Sequence, residues 1–140
     1  MEFQEVRPFL ESNHRGVVTT FRRNGAAHSS IVVCGPYQGK VALVSVRGNS
    51  VKVRNLRRDP RCTVVATAAD WRSYVVAEGQ AQLLDYHNTD AEEMRQKLRE
   101  VFRACGDRDH PDWDEYDRAM RQQDAVIVLV QPDRIYGRVR

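Results

Sequence analysis

The chain has 140 residues, 41% of them hydrophobic and 29% charged, a composition that excludes a disordered chain. Its length suits one domain with its own core, and we expect residues 1–140 to form a single domain. The net charge of +3 looks unremarkable, and no apolar run reaches the roughly 18 residues of a membrane span.

The first quarter of the chain predicts a short helix followed by a β-hairpin. Apolar residues at helical spacing indicate a helix over residues 2–12, which Pro8 should limit or kink. A β-branched segment, residues 16–21, predicts a strand. Asn24-Gly25 then predicts a type I′ turn into a returning strand over residues 28–34.

The second quarter predicts another hairpin and a helix. Residues 35–39 are rich in turn formers and should lead into a third strand over residues 40–46, so that the first strands form an antiparallel meander. A short helix is predicted over residues 51–58. Asn49 or Ser50 would cap it and Asp59-Pro60 would end it.

The second half predicts more strands and two longer helices. Strands are expected over residues 62–68 and 72–84, the latter with a bulge or bend at Gly79. Helices are expected over residues 89–104, capped by Asn88 or Thr89, and over residues 112–121. A continuous apolar strand over residues 125–130 should break at Pro132-Asp133 and extend over residues 135–139. Six or so strands with few helices predict a small antiparallel barrel with helical appendages.

The cysteines and the N-terminus indicate the compartment. Cys34, Cys62 and Cys105 are odd in number and widely spaced, which is typical of a reducing cytosol and of neither a disulfide framework nor a zinc site. The first residues lack the basic and apolar segments of a signal peptide. We therefore expect a cytoplasmic protein with no membrane partner and no metal.

Charge is distributed unevenly along the chain. Between His14 and Arg61 there are ten basic residues and one acid, whereas between Asp85 and Asp124 twelve acids outnumber seven bases. This division predicts a basic face suited to an anionic ligand. The alternative is a solvated surface balanced by the acidic half of the same molecule or of a partner subunit. Binding of nucleic acid is not expected, because no array of aromatic residues lies among the arginines.

The segment from residue 45 to residue 52 has the composition of a phosphate site. A strand delivers Ser45 and Arg47 to its end, a glycine turn follows, and a helix begins with Ser50 and Lys52 near its first turn. Free backbone amides, a hydroxyl, an ammonium and a guanidinium would converge there and favour a phosphate dianion. The alternative is an ordinary capped helix with solvated basic side chains.

Residues 52–61, with the sequence KVRNLRRDPR, resemble the K-x-R-N-L-R-R-D-P-R signature of the split-barrel flavin and deazaflavin oxidoreductases, relatives of pyridoxamine 5′-phosphate oxidase. Three further segments match in the same order: residues 16–25, residues 71–81 and residues 132–137. The helix that begins at Trp113 is similar to one in the deazaflavin-using branch of this family. The resemblance extends from Gly16 to Gly137.

The resemblance implies a fold and an assembly. It implies a mainly β protein, a six- to seven-stranded antiparallel split β-barrel with peripheral helices, of the type that binds FMN. Members are homodimers with two cofactor sites in grooves at the subunit interface. The ring of the cofactor lies along the second and third predicted strands, and its phosphate lies at the segment described above.

Residue by residue, the resemblance also implies a cofactor site. Ser50 and Lys52 would hold the phosphate together with Arg47 and the amide of Val51, although some relatives carry arginine at the position of Ser50. The other implied contacts are Ser45 and Val46 at the ring and ribityl chain, His28 and Ser30 at the ring edge, and Arg72 and Ser73 in a loop that closes over the cofactor.

The implied activity is hydride transfer from a reduced cofactor to a conjugated small-molecule acceptor, with the protein supplying orientation and electrostatics. Coenzyme F-420, a deazaflavin, is the expected cofactor, because its carboxylate-rich tail suits a basic groove. We expect its tail to contact arginines of the basic segment between His14 and Arg61, namely Arg22, Arg23, Arg54, Arg57 and Arg58.

Two alternatives stay open for the function. The first is an FMN-dependent oxidase or reductase on the same fold, and the second is a non-catalytic cofactor- or tetrapyrrole-binding protein. His28 is a candidate proton donor and Tyr74 a second one, although a lone histidine in a strand is more often structural. The substrate pocket is expected over the exposed ring face, in part from residues 35–38.

Overall fold

The computed structural model describes residues 1–139 and contains seven strands and four helices. The strands are β1 (Arg15–Phe21), β2 (Ala27–Val33), β3 (Gly35–Tyr37), β4 (Lys40–Ser45), β5 (Arg61–Thr67), β6 (Tyr74–Leu84) and β7 (Val126–Arg138). The helices are α1 (Phe3–Ser12), α2 (Val51–Arg58), α3 (Ala91–Ala104) and α4 (Trp113–Gln122).

The strands form one antiparallel sheet in the order β2-β1-β5-β6-β7-β4-β3. β2 and β3 lie at opposite ends of this order, yet only Cys34 separates them in the chain. The sheet must therefore curl until its two ends approach each other, which makes it a barrel that is split between β2 and β3. The mainly β split barrel predicted from the sequence is confirmed.

The predicted meander is wrong. The hairpins β1–β2 and β3–β4 form as expected, but β4 pairs with β7 and not with β2. The physical reason is the connection between β2 and β3. A single residue cannot form a hairpin turn, so the chain does not reverse its direction after β2. Residues 35–37 are accordingly a strand, and the turn is limited to Gln38 and Gly39, which both have positive φ.

The first hairpin also differs from the type I′ turn that was predicted. Only Gly25 has a positive φ, of 87°, and its amide donates to the carbonyl of Arg22 at 2.9 Å. Asn24 has no positive φ and instead accepts a hydrogen bond from the amide of Ala26. The connection is therefore a three-residue loop with glycine at the left-handed position, the second common solution for a hairpin.

Other boundaries follow the prediction with local corrections. α1 continues through Pro8 and is not ended by it, and Asp90 caps α3 in place of Asn88 or Thr89. β7 does not break at Pro132. It runs on to Arg138, and the expected irregularity at Gly79 is a register shift that leaves Asp133 without a partner in β6.

Two apolar cores lie on either side of the sheet. The barrel interior contains Val18, Leu43 and Val128, and α1 closes one end with Leu10. The second core lies outside the barrel, where α3 and α4 cover alternate residues of β4 and β7. β7 is apolar on both faces because both are covered. Within residues 1–139, no helix is long and apolar enough to cross a membrane.

Helix α2 is held against β1 by a buried polar contact. The side-chain amide of Asn55 donates to the hydroxyl of Thr20 at 3.0 Å, and both residues are buried. The guanidinium of Arg58 donates to Asn55 Oδ1 at 3.1 Å and to the carbonyl of Phe21 at 2.5 Å. Val53 and Leu56 complete the contact with apolar surface. The helix is therefore placed by specific hydrogen bonds as well as by packing.

Removal of the Asn55 amide should weaken this contact. Asn55→Ala leaves the buried Thr20 hydroxyl without its donor, and we expect a loss of about 1–3 kcal/mol in the free energy of unfolding. The measurement is the urea midpoint followed by far-UV circular dichroism. Asn49→Ala, an exposed asparagine close to the same helix, is the matched control, and equal midpoints for the two variants would contradict this contribution.

Candidate cofactor site

The loop between β4 and α2, residues 46–50, forms a small polar cradle. β4 ends at Ser45, whose hydroxyl lies 2.9 Å from the Ser50 hydroxyl and donates to the carbonyl of Arg47 at 2.9 Å. Ser50 caps α2, as predicted, and accepts from the amide of Val53 at 3.4 Å. These contacts bring the two ends of the loop together.

Two backbone amides point out of the first turn of α2. A helix leaves its first N–H groups without intrahelical acceptors. Here the hydroxyl of Ser50 serves Val53 and its carbonyl serves Arg54, which leaves the amides of Val51 and Lys52. They carry the positive end of the helix dipole and favour an anion.

Lys52 adds a positive charge to this cradle. Its side chain is half-buried, and burial lowers the pKa of its ammonium below the ordinary value. Along residues 1–139 no carboxylate lies within ion-pair distance of Lys52 or of the exposed Arg47. A partly desolvated cation without a counterion suits an anionic ligand.

Gly48 fixes the position of the cradle. Its amide donates to the carbonyl of Gln123 at 3.1 Å, and a Cβ at this position would lie 2.0 Å from the carbonyl oxygen of Asp124. The loop is thus pressed against the turn between α4 and β7. Only a residue without a side chain fits this approach.

His28 and Ser30 lie on the face of β2 that turns towards the barrel, opposite Thr20 and Val18. Their side-chain atoms His28 Nδ1 and Ser30 Oγ are buried without a hydrogen-bond partner. Because Thr20 also contacts α2 through Asn55, both residues lie at the end of the barrel that carries the cradle. Unpartnered buried polar atoms are uncommon in folded proteins, and a bound ligand is one way to satisfy them.

Arg72 and Ser73 do not join this group within one chain. They precede Tyr74, which pairs with Thr67 and through it with Arg15, at the opposite end of β1 from Thr20. Thr20 lies five steps along β1 from Arg15, which is roughly 17 Å. Ser73 is buried and its carbonyl accepts from the amide of Ala68, whereas Arg72 is exposed. Tyr74 lies at this distant end as well.

The arginines of the basic segment have different roles. Arg57 pairs with the buried Asp85 at 3.0 Å, and Arg58 is engaged with Asn55 and Phe21. These two arginines, expected at a cofactor tail, therefore serve the docking of α2. Arg22, Arg23 and Arg54 are exposed.

The acids of the second half balance little of the basic segment, with Asp85 on Arg57 and Asp107 on His14 as the exceptions. Asp109 and Asp117 pair with Arg103 and Arg99 of α3, and Asp107 pairs with His14. Because the acidic half is largely neutralised within its own helices, the basic face stays available to a ligand.

Asp85, the buried partner of Arg57, was not predicted from the sequence. Burial alone would raise the pKa of its carboxyl, but hydrogen bonds from the amides of His87 and Asn88 and from Arg57 outweigh it and lower that pKa. A buried acid between a strand and a helix cap has no local signature. Asn55, in contrast, is a polar residue on the apolar side of a short helix, and that pattern could have marked it.

A side chain at position 48 should displace the cradle. For Gly48→Ala we expect a loss of about 1–3 kcal/mol in the free energy of unfolding, because the new methyl group meets the Asp124 carbonyl. Gly106→Ala is the control, since a Cβ there finds its nearest neighbour at 3.6 Å. Urea unfolding of both variants measures the difference, and a Gly48→Ala midpoint equal to that of the control would refute the close approach.

Comparison with known proteins identifies the family. A family model described as Pyridoxamine 5′-phosphate oxidase matches residues 3–138. A solved structure of a conserved hypothetical protein from Mycobacterium tuberculosis is 21% identical with a TM-score of 0.78, covering 99% of this chain and 84% of that chain. A structure named F420 reductase is 16% identical with a TM-score of 0.64, covering 93% of this chain and 94% of that chain.

A heme binding protein from Mycobacterium smegmatis is 20% identical with a TM-score of 0.68, and the match covers 96% of this chain and 52% of that chain. At these identities the solved structures establish the fold, while the family model spans nearly the whole chain. The chain belongs to the pyridoxamine 5′-phosphate oxidase family.

Proposed function

We propose that this protein is an oxidoreductase that binds the phosphate of coenzyme F-420 at the cradle between β4 and α2. The proposal depends most on one observation. The free amides and the uncompensated ammonium of Lys52 lie at the same end of the barrel as two buried polar atoms without partners, His28 Nδ1 and Ser30 Oγ. A ligand with a phosphate at one end and a polar ring at the other would satisfy both groups.

The residues of the chain fit such a ligand in distinct ways. Lys52, Arg47 and the amides of Val51 and Lys52 would hold the phosphate. Ser45 and Ser50 shape the cradle through their shared hydrogen bond, and Val46 offers an apolar contact beside it. When bound, the reduced cofactor supplies a hydride for a conjugated small-molecule acceptor. His28 Nδ1 and Ser30 Oγ would orient the ring edge, and His28 could hold a proton at Nδ1.

The cysteines do not offer a competing nucleophile. Burial raises the pKa of the Cys34, Cys62 and Cys105 thiols to about 12, so they stay protonated at neutral pH. A thiol needs its thiolate form to act as a nucleophile. This supports a role for the protein in binding and orientation, with the chemistry left to a cofactor.

The choice of F-420 over FMN rests on the exposed arginines. Arg22 and Arg23 form the tip of the β1–β2 hairpin, next to Phe21, whose carbonyl contacts Arg58 of α2. Arg54 extends from the exposed side of α2 and donates to the carbonyl of Asn49. A carboxylate-rich tail that leaves the cradle would meet these charges, whereas FMN has no such tail. FMN is the alternative cofactor on the same site.

We further propose that the protein works as a homodimer. The outer face of β2 and the β5–β6 loop expose a continuous apolar surface in which Ile31, Val33 and Trp71 are 88%, 61% and 80% exposed. Trp71 also has a φ of 64°, an unfavourable conformation for a bulky residue. A second copy on this surface would bury it and could bring its own Arg72 and Ser73 to the cradle.

A titration with a matched lysine control tests the cofactor site. We expect both F-420 and FMN to bind, with F-420 tighter, and riboflavin, which lacks the phosphate, to bind weakly. Lys52→Met should weaken the binding of FMN by roughly 10- to 100-fold, since a hydrogen bond to a charged group contributes about 1.5–3 kcal/mol. Lys40→Met, in the first position of β4, should leave it unchanged.

The same titration has a pH dependence. As the pH is raised, Lys52 loses its proton and the affinity for the phosphate should fall. Because burial lowers the pKa of Lys52 in the free protein, this fall should begin at a lower pH than it would with an ordinary lysine. Equal affinity for FMN and riboflavin would contradict a phosphate site. A Soret band on addition of haem, with no uptake of either flavin, would instead favour the tetrapyrrole-binding alternative.

A charge on the exposed face tests the homodimer. We expect the native protein to sediment as a dimer and Ile31→Asp to sediment as a monomer, because a buried unpaired carboxylate is strongly unfavourable at an interface. Ala91→Asp places the same charge at an exposed alanine in the first turn of α3, a helix that covers β4 and β7, and should stay dimeric. A native protein that is monomeric at micromolar concentration in sedimentation velocity would refute the proposal.

A further inference from the structure

Three connections meet at the end of the sheet that carries the cradle. Val44, Ile127 and Leu84 lie side by side across β4, β7 and β6, at or next to the strand ends. The cradle loop follows β4, the turn of residues 85–89 follows β6, and the turn of residues 123–125 precedes β7. The two turns that join α3 and α4 to the sheet therefore lie beside the candidate phosphate site.

The turn before α3 is built around the carboxylate of Asp85, which is 3% exposed. Its Oδ1 accepts hydrogen bonds from the amides of His87 and Asn88 at 2.8 and 2.9 Å. Its Oδ2 lies 3.0 Å from a guanidinium nitrogen of Arg57 in α2. The carboxylate thus serves two elements at once, with one oxygen for its own turn and the other for the helix that follows the cradle.

A second contact leads from the same turn to the cradle loop. His87 Nε2 lies 3.2 Å from Asp124 Oδ2. Asp124 is the residue whose carbonyl oxygen a Cβ on Gly48 would meet, and the amide of Gly48 donates to the carbonyl of Gln123. The contacts therefore form a closed ring, from α2 through the two turns and back to the loop that precedes α2.

Loss of the Asp85 carboxylate would act on a bound phosphate in two opposite ways. A negative charge repels a nearby anion, so a neutral residue in its place favours the phosphate through Coulomb's law. The helix, however, would lose an anchor at Arg57, five residues after Lys52 and about 7.5 Å from it along the helix axis. The sign of the change in affinity therefore distinguishes the charge of Asp85 from its effect on the helix.

We propose that Asp85 is a positioning residue for the phosphate site, which it serves through Arg57 by holding the first turn of α2 at the cradle. This inference rests on the proposed function, because the ligand is the phosphate of the cofactor. Asn55 anchors α2 to β1, and Arg57 adds a second anchor two residues further along an eight-residue helix. Two anchors in different parts of the fold limit the tilt that a single anchor leaves to so short a helix.

The test compares FMN with riboflavin, which lacks the phosphate, in fluorescence titrations of the full chain. Asp85→Asn keeps an oxygen for the two amides of the turn and removes the charge that holds Arg57. We expect it to weaken the binding of FMN about fivefold, a size typical of coupling through a packed network, and to leave riboflavin unchanged.

Asp59→Asn is the matched control. It takes the carboxylate from a surface pair with Arg61, at 2.8 Å, and raises the net charge of the chain by the same amount. Because Asp59 lies at the far end of α2 and pairs only with a residue two positions away, we expect the affinity for FMN to stay unchanged.

Two further variants keep the test independent of charge and of a loss of folding. Arg57→Met combined with Asp85→Asn preserves the net charge and leaves no buried charge unpaired. It should weaken FMN about as much as Asp85→Asn alone, because the pair acts as a unit. Arg57→Lys keeps a charged donor for the carboxylate and should restore nearly native affinity.

Hydrogen exchange provides a measurement that needs no cofactor. In the free protein, Asp85→Asn should speed the exchange of backbone amides in residues 51–58, followed by mass spectrometry, because local opening of α2 becomes easier. Asp59→Asn should leave this exchange unchanged. Equal exchange in the native protein and in Asp85→Asn would overturn the proposed anchor.

The titrations have outcomes that separate this inference from the proposed function. Tighter binding of FMN by Asp85→Asn would overturn the positioning role, since charge would then decide the affinity. An equal loss for FMN and riboflavin would overturn it too, because a general loosening does not select the phosphate. A native protein without preference for FMN over riboflavin would refute the proposed phosphate site and this role with it. A native preference that is fully retained in Asp85→Asn would refute this inference alone.

Discussion

The hydrogen bond between Asn55 and Thr20 is the contact on which the rest of the site depends. It is buried and joins the helix that follows the polar cradle to the strand that pairs with β2. Arg58 extends it to the backbone of β1. Because hydrogen bonds are directional, this contact fixes how the helix is turned as well as where it lies.

The same arrangement explains why a strongly basic segment does not form one uniform basic surface. Some arginines of the family signature are structural, such as Arg57 on the buried Asp85, and others are solvent-exposed, such as Arg54. Lys52 stands apart because it is partly desolvated without a counterion. Position in the fold, and not the sum of charges, therefore decides which cations are available to a ligand.

Local features were predicted well because their causes are local. The helix over residues 51–58, its Ser50 cap and its end before Asp59-Pro60 follow from capping and from the constraint of proline. The Asn24-Gly25 turn was placed correctly but given the wrong type, since a two-residue and a three-residue loop share the same signature. The strand order was missed because the short connection at Cys34 is not a pattern that periodicity reveals.

By itself the sequence indicated the family and the mainly β class, and it predicted a site at the cradle, whose residues lie within a dozen consecutive positions. Only the tertiary structure decided that His28 and Ser30 share one end of the barrel with that cradle, that Arg72 and Ser73 lie at the other end, and that the turn before α3 reaches α2 through Asp85. The physical reason is that strand register and helix packing are set by contacts between residues far apart in the chain, and a single sequence does not display those contacts.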